Sequence, residues 1–593
     1  MTFKRLSEYF KLLEENSSRL KITAILADLF KQCSEEEIDK VCYLSLGRLL
    51  PQYRGIEFQI AQKMMEKAIA KAFEVDLEKV KTTMRDLGDL GEAGEAVKCQ
   101  MANGKCQKLF EDIKDKKNGE DLSVLRVYER LLEIAKESGQ GSVERKIGKM
   151  AALLQDLDGL SVRFVIRTPL GKMRMGFSEM TILDALSWML KENKSLRGEL
   201  EDAYNVVADV GEIAKKVKSQ KLEVKSSGLK LFIKPKLGTP IMPALCQRIG
   251  TTEEIIEKLG ESAVEPKYDG TRLQSHLWEG QIRIFTRNLE NVTNMFPDIV
   301  FALKKEITAS EAIFDGEGVG IDPKTGKYLP FQETIKRKRK YAVAETAKEI
   351  PIKYFVFDIL YKDGKNLIKE PFSKRRKILE QTINKNSRII MLSPQIIIKD
   401  AQKLKHYFDA QTANGLEGVV IKKWQSFYEP GRRGFKWVKL KQDELQKGGR
   451  LADTIDCVVM GVSRGKGKRA DFGVGSFLVG IKKASKFITL TNIGTGLSDD
   501  QFRELDKRSK KLRVKEKPGE YLVDKNQEPD IWLKPDIVVE IQADNITKSP
   551  IHTAGLSLRF PRLIRFRDDR SADQATTLKE VARLFEMQYG NSC

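Results

Sequence analysis

The chain is 593 residues long, too long for one hydrophobic core, so several domains are expected. Hydrophobic residues make up 41% and charged residues 32%, which excludes a disordered chain, and no apolar run approaches the length of a membrane span. The formal net charge of +21 points to a polyanionic partner, because phosphate backbones release counterions on meeting dispersed Lys and Arg; charge alone does not separate nucleic acid from an acidic membrane.

The opening, Met1-Thr2-Phe3-Lys4-Arg5-Leu6, runs straight into an amphipathic helical pattern with no apolar signal core, so the protein is expected to act in the compartment where it is made. To about residue 230 the pattern is helical, as in Phe3-Leu6-Phe10-Leu13 and Leu125-Val127-Leu131-Leu132-Ile134. Ser34 with Glu37 reads as a capping box. The Gly-, Lys- and Asp-rich stretch 88–119 reads as a mobile connection. A proline-flanked linker at Pro235-Lys236-Leu237-Gly238-Thr239-Pro240 closes this part. Strand and helix signals then alternate to about Gln446. Residues 281–287 alternate as a half-buried strand, residues 354–360 form a strand ending at Asp363-Gly364, and Ser373 reads as the cap of a basic helix. After Lys447-Gly448-Gly449-Arg450, strands are expected at 455–462, 476–481, 487–493 and 537–543, with a helix capped by Ser498 and Gln501; about five short strands around one helix fit a small OB-type barrel. The domains read as 1–232, 233–446 and 447–593.

Seven dispersed cysteines without a C-x-x-C pair argue for reduced thiols and against a zinc knuckle, and only three histidines are present. A lysine and carboxylates are left to carry any chemistry. Lys267, in Glu265-Pro266-Lys267-Tyr268-Asp269-Gly270-Thr271-Arg272, stands at a Gly turn with Asp and Arg close by; alone, the pattern is also that of a surface turn. Further charges lie at strand ends: Arg272, Arg287, Glu317, Glu417, Lys439 and Lys441. Together with Lys267 these make two carboxylates and five cations, a set that suits phosphate and a divalent ion. On a strand, Trp437, Lys439 and Lys441 share one face. Neighbouring Lys439, Lys441 and Arg272 are expected to lower the pKa of Lys267.

These segments, in this order, resemble the motifs of the covalent nucleotidyltransferases: Lys267-Tyr268-Asp269-Gly270-Thr271-Arg272, Asp315-Gly316-Glu317, Phe355-Val356-Phe357-Asp358, Glu417-Gly418-Val419-Val420-Ile421-Lys422, Trp437-Val438-Lys439-Leu440-Lys441 and Leu558-Arg559-Phe560-Pro561-Arg562-Leu563-Ile564-Arg565. Within that superfamily the chain is similar to ATP-dependent DNA ligases of archaeal and eukaryotic replicative type. Support comes from the long helical N-terminus with Arg167 and the 170–179 segment, from Phe331-Gln332-Glu333-Thr334 ahead of a basic run at 336–340 read as a solvated helix face, and from Arg464-Gly465-Lys466-Gly467-Lys468-Arg469 opening the barrel. Ser161-Val162 departs from the Glu-containing stretch of many relatives.

The resemblance implies a multidomain α and α+β protein: a helical DNA-binding domain, an ATP-grasp-like nucleotidyltransferase (adenylation) domain and a C-terminal OB-fold β-barrel. It implies three phosphoryl transfers that seal nicks in duplex DNA, in replication, repair, recombination and cell division. Lys267 is the implied nucleophile towards ATP. Glu265 contacts the base through its backbone, Glu317 the ribose, and Phe357 stacks on adenine, although a core aromatic fits Phe357 too. Arg272, Arg287, Lys439 and Lys441 complete the nucleotide site with Arg433, against which Arg432 competes. Glu317 and Glu417 are implied ligands of Mg²⁺, with Mn²⁺ able to substitute. Arg167 and Arg174 are implied DNA contacts. Arg559 and Arg562 reach ATP in the first step by a barrel swing about Lys447-Gly448-Gly449. Gln107-Lys108-Leu109-Phe110 resembles a sliding-clamp peptide. A monomeric, cytoplasmic, nucleoid-associated prokaryotic enzyme without membrane contact is expected. An RNA-end enzyme and a non-catalytic DNA-binding scaffold are the competing readings.

Overall fold

A computed structural model describes residues 1–100, 122–219, 233–339, 342–384, 386–441, 453–464 and 473–587. Contacts divide the chain into two compact units, Met1–Lys439 and Leu440–Cys593.

The first unit opens with packed helices, among them Phe3–Glu14, Arg19–Gln32, Val124–Lys136, Gly159–Arg167 and Arg197–Val206. The spacing of apolar residues explains the packing: Phe3, Leu6, Phe10 and Leu13 fall on one helical face and are buried in a common core with Val127, Leu131 and Ile134. Leu125 and Leu132 remain only half-buried, and Val124 and Tyr128 take the inner positions. Three local expectations change. Ser34 donates its N–H to the Glu37 carboxylate at 3.0 Å, but the next helix, Ile38–Ser45, starts at Glu37 with no side-chain cap, so only half of the capping box forms. The stretch read as a mobile connection begins as helix: Gly88, in the left-handed region at φ 71°, ends helix Leu77–Leu87, and residues 90–100 are helical with the Asp89 carboxylate accepting the Glu92 N–H. Helix Phe372–Thr382 is capped at Pro371, because Phe372 must bury itself; Ser373 sits one residue inside and donates to Gln425 instead.

Two sheets follow in the same unit. The first runs, in order, Leu245–Arg248, Arg433–Lys441, Gly418–Lys423, Ser262–Lys267 and Ile396–Ile398. The second runs Gln281–Thr286, Thr271–Trp278, Ala312–Gly320, Ile352–Lys362 and Lys365–Asn366, with Ile390–Leu392 also on Ile352–Lys362. Asp363 and Gly364, at φ 42° and 82°, make the tight hairpin read from the sequence. The basic run after Phe331 is not a solvated face throughout: the Arg337 side chain is fully buried and donates to Asp298 at 2.8 Å and to the Ile350 carbonyl at 2.8 Å.

The second unit is β-rich, the OB-type part of the architecture. Ile455–Arg464, Val474–Lys483 and Lys486–Ile493 form an antiparallel meander, and Val538–Gln542 joins the first of them to Arg562–Phe566. Helix Asp499–Leu512 carries the Ser498–Gln501 capping box expected for it. Additional short strands, such as Ile531–Leu533 and Asn545–Lys548, were too brief to show an alternating pattern.

Beneath the second sheet, Arg375 and Asp358 form a bidentate pair at 2.7 and 2.8 Å with both side chains fully buried. Removing one partner strands the other charge in the interior. Asp358→Ala is therefore expected to cost about 3–5 kcal/mol in denaturant unfolding; a loss below about 1 kcal/mol would show that water reaches Arg375.

Candidate active site

Lys267 is the last residue of a strand in the first sheet, and four residues later Thr271 opens a strand in the second. The Tyr268-Asp269-Gly270 turn thus bridges the two sheets. Pairing of Gly418 with Lys267 and of Arg272 with Glu317 is dictated by register, so Glu417 and Glu317 arrive from different sheets. Gly270 is required here by crowding: a Cβ would lie 2.5 Å from the Gly318 carbonyl oxygen and 2.8 Å from Glu317 Cγ. The Asp269 carboxylate accepts the Phe331 N–H at 3.1 Å, and Tyr268 stacks on Phe355 with centroids 4.2 Å apart.

Lys267 Nζ is ion-paired with Glu417. Burial works against its charge, but Glu417, Glu317 and Asp269 outweigh burial and hold the ammonium above the usual lysine range. This corrects the expectation that neighbouring cations lower it. Arg272 contributes little repulsion because Asp315 neutralises it, through Nε at 3.0 Å and Nη2 at 2.6 Å. Glu317 responds mainly to burial, which pushes its carboxyl up to about 7 against the pull of Lys267 and Arg272.

Several of the remaining nucleotide candidates lie close to this point. Lys422, a buried cation, pairs with both oxygens of Glu265 at 2.9 Å, so the Glu265 side chain is occupied. Its ammonium lies 4.3 Å from the Phe357 ring and 4.5 Å from that of Trp437. Phe357 is only half-buried, unlike its neighbours Tyr354 and Phe355. Cys246 registers the local charge: burial raises its thiol, opposed by Arg272, Lys422, Lys439 and Lys267. The buried Trp437 indole N–H finds no protein acceptor among the described residues, as expected of a pocket that receives an acceptor from a ligand. Lys439 and Lys441 are half-buried on strand Arg433–Lys441, two residues apart. Arg287 is exposed at the rim of a small cavity that Arg272 and Asp315 also line. Arg432 is held by Asp202 of the helical region at 2.6 Å, whereas Arg433, exposed at the start of its strand, has no such tie among the described residues.

Glu317 and Glu417 flank Lys267 as oxygen donors, and among the described residues no three acidic, His or Cys side chains gather to hold an ion by themselves. That donor set fits Mg²⁺, which binds through one or two carboxylates and completes its shell with water and substrate phosphate.

Other expectations separate. Arg167 does not face DNA: its side chain is 1% exposed and ion-paired with Glu14, Asp89 and Glu92 at 2.8 to 3.0 Å, because a buried guanidinium needs its charge matched. Arg174, at φ 59°, stays half-exposed beside Asp89. In the second unit, Arg562 pairs with Asp544 at 2.7 Å and Arg559 leans on Phe560, an exposed residue at φ 53°. Gln107-Lys108-Leu109-Phe110 and Lys447-Gly448-Gly449 lie outside the described residues. The sequence reading missed Tyr428, whose hydroxyl touches Asp315 at 2.7 Å; an aromatic in a loop carries no signal of such a contact.

The structure thus sets a lysine on a strand end, flanked by carboxylates from two sheets and by an aromatic pocket rich in cations, the arrangement that the resemblance to covalent nucleotidyltransferases implies. Residues 243–441 match the family described as ATP dependent DNA ligase domain, residues 2–187 match DNA ligase N terminus, and residues 470–570 match ATP dependent DNA ligase C terminal region. A protein of Dictyoglomus turgidum named "Probable DNA ligase" is 39% identical over 602 residues, covering 99% of this chain and 98% of its own. A "DNA ligase" of Sulfurisphaera tokodaii is 38% identical over 603 residues, with coverage of 99% and 98%. A solved structure called Pmar-Lig_Pre shares the fold, with a TM-score of 0.52, 17% identity and coverage of 95% and 99%. The chain belongs to the ATP-dependent DNA ligase family, whose general function is to seal nicks in DNA.

Two measurements check this geometry. Gly270→Ala must displace the turn or Glu317, and is expected to slow ATP-dependent labelling on the order of 100-fold without unfolding the protein; an unchanged rate would deny the close approach. Glu317 is an acid raised in the fold, so it binds a proton there that it loses in the unfolded chain between about pH 4.5 and 7. Native stability falls across that window as pH rises. Glu317→Gln removes this loss, so its stability relative to the parent is expected to increase from pH 5 to pH 8, by at most about 3 kcal/mol. A difference that does not vary with pH would place the carboxyl in water.

Proposed function

We propose that Lys267 is the residue that carries AMP. In the first step its neutral amine attacks the α-phosphorus of ATP; an N–P bond forms and the P–O bond to pyrophosphate breaks, while one proton leaves the ammonium to solvent beforehand and a second leaves the nitrogen to solvent as the phosphoramidate forms. The observation that carries this reading is the placement of Lys267 at the junction of two sheets against Glu417, with Glu317 and Arg272 paired opposite each other on adjacent strands. Phe357, half-buried beside Lys422, is the surface for adenine, Glu265 meets the base through its backbone, Glu317 serves the ribose, and Arg272, Arg287, Arg433, Lys439 and Lys441 serve the phosphates. Of the two adjacent arginines, Arg433 is preferred because Arg432 is engaged with Asp202. Glu317 and Glu417 are the carboxylates that hold Mg²⁺, which supplies charge neutralisation for the departing pyrophosphate.

AMP then passes to the 5′-phosphate at a nick, and the adjacent 3′-hydroxyl displaces it. Duplex DNA is held mainly through its phosphates, so sequence preference is low. A sliding clamp met through Gln107-Lys108-Leu109-Phe110 rests on the sequence alone, as does action as a monomer. No described helix is long and apolar enough to cross a membrane.

Intact-mass measurement after incubation with ATP and Mg²⁺ is expected to show a single AMP adduct that maps to Lys267 and is absent from Lys267→Ala; an adduct elsewhere overturns the reading. A second outcome follows from the pairing. Because Glu417 holds the lysine proton, Glu417→Gln lowers the Lys267 pKa, and the rise of its lysyl-AMP formation rate with pH is expected at lower pH than in the parent, even though the maximal rate drops. A profile that stays in place would show that the pairing does not govern the proton.

A further inference from the structure

We infer that Tyr428 is a positioning residue for nucleotide binding, acting through Arg272; this rests on the reading of Arg272 as a phosphate contact. Tyr428 lies between strands Gly418–Lys423 and Arg433–Lys441 and is buried. Its hydroxyl donates to Asp315 Oδ2 at 2.7 Å and accepts the Ala244 N–H at 3.0 Å and, more distantly, Arg272 Nη2 at 3.4 Å. The Ala244 carbonyl in turn accepts from Arg272 Nη1 at 2.6 Å. One hydroxyl therefore touches both anchors of the guanidinium, the Asp315 carboxylate and the Ala244 peptide.

A guanidinium has five N–H donors. Nε and one Nη2 hydrogen go to Asp315, the other Nη2 hydrogen to Tyr428, and one Nη1 hydrogen to Ala244. A single Nη1 hydrogen is left for a ligand, and its direction is fixed by the other four. Burial and Asp315 push the Tyr428 hydroxyl well above its usual range, so it stays a donor to the carboxylate across the working pH range. The ring has separate duties: it meets Trp437 edge-on at 5.5 Å, and the backbone N–H bonds to the Ile368 carbonyl at 3.0 Å. Tyr428→Phe keeps the ring and the backbone bond. It deletes the donor to Asp315 and the acceptor for the buried Ala244 N–H, so both supports of Arg272 loosen while the ion pair remains.

The test is a double-mutant cycle on self-adenylylation in the full-length protein, using Tyr428→Phe, Arg272→Lys and the double variant. Tyr428→Phe is expected to raise the KM for ATP by about 5- to 10-fold, the scale of one lost buried hydrogen bond, with kcat within about twofold. In the Arg272→Lys background the same change is expected to add less than about twofold, because its target is already gone. Melting temperatures are measured alongside. The proposal is overturned if Tyr428→Phe leaves KM unchanged, if its effect multiplies in full with that of Arg272→Lys, or if the loss vanishes on cooling in step with a lowered melting temperature. An Arg272→Lys protein with unaltered KM removes Arg272 from the nucleotide site and takes the proposal with it. The lysyl-AMP reading is judged apart from these, by the presence of the Lys267 adduct in the parent protein.

Discussion

The register between strands Ser262–Lys267 and Gly418–Lys423 governs everything built on this site. Because Gly418 faces Lys267, the residue before it, Glu417, meets the lysine side chain. A slip of one residue would turn every side chain of that strand to the opposite face. Lys422 would then lose Glu265, and Lys267 would lose its carboxylate. The buried Lys422–Glu265 pair makes such a slip costly, since both charges would be stranded in the interior. The Lys422–Glu265 pair thus also fixes the position of Lys267.

The pocket is rich in cations, yet four of them are each matched by a carboxylate. Arg272 has Asp315, Lys422 has Glu265, Arg375 has Asp358, and Lys267 has Glu417. Matching allows a polyanion site to exist inside a folded protein without ligand, where unpaired charges would cost several kcal/mol each. It also sets the resting chemistry. A lysine held as an ammonium is not a nucleophile, so on the reading proposed above Lys267 stays unreactive until its carboxylate is drawn elsewhere. Glu417 is suited to that role, because the same oxygens that hold a lysine proton also suit a divalent ion.

The outline of this site was legible because its residues come in short blocks whose types are dictated by local chemistry. A turn needing Gly270, a strand end carrying Glu317 and an alternating Trp437-Val438-Lys439 all leave patterns a few residues long. The paired state of those residues was not legible. Whether Arg272 repels Lys267 or is neutralised by Asp315 depends on contacts between strands 43 residues apart in sequence, which composition does not encode. Arg167 shows the same limit: a basic residue in a domain that resembles a DNA-binding one reads as a phosphate contact, and only packing reveals three carboxylates around it. The Ser373 cap failed for a related reason, while the Ser498–Gln501 box formed as read. Ser373 has the right chemistry for a cap, but the burial of Phe372 decides where the helix begins.

The helical region and the pocket are joined through a short backbone path. Ala208 N–H bonds to the Pro240 carbonyl, Met242 N–H to the Asn205 carbonyl, and Gly431 N–H to the Met242 carbonyl. Two residues on, Ala244 is held at both ends, by Tyr428 and by Arg272. Gly431, in the left-handed region at φ 68°, passes so close to Asn205 that a Cβ would sit 2.2 Å from its side-chain oxygen. Nearby, Arg432 pairs with Asp202 on the helix that also carries Asn205. Backbone hydrogen bonds and a contact that admits only glycine leave little room for sliding; the helical region either moves as one body with residues 240–244 or breaks these bonds together. The helix that carries Asn205 and the Ala244 peptide that accepts from Arg272 are therefore joined by one continuous run of contacts.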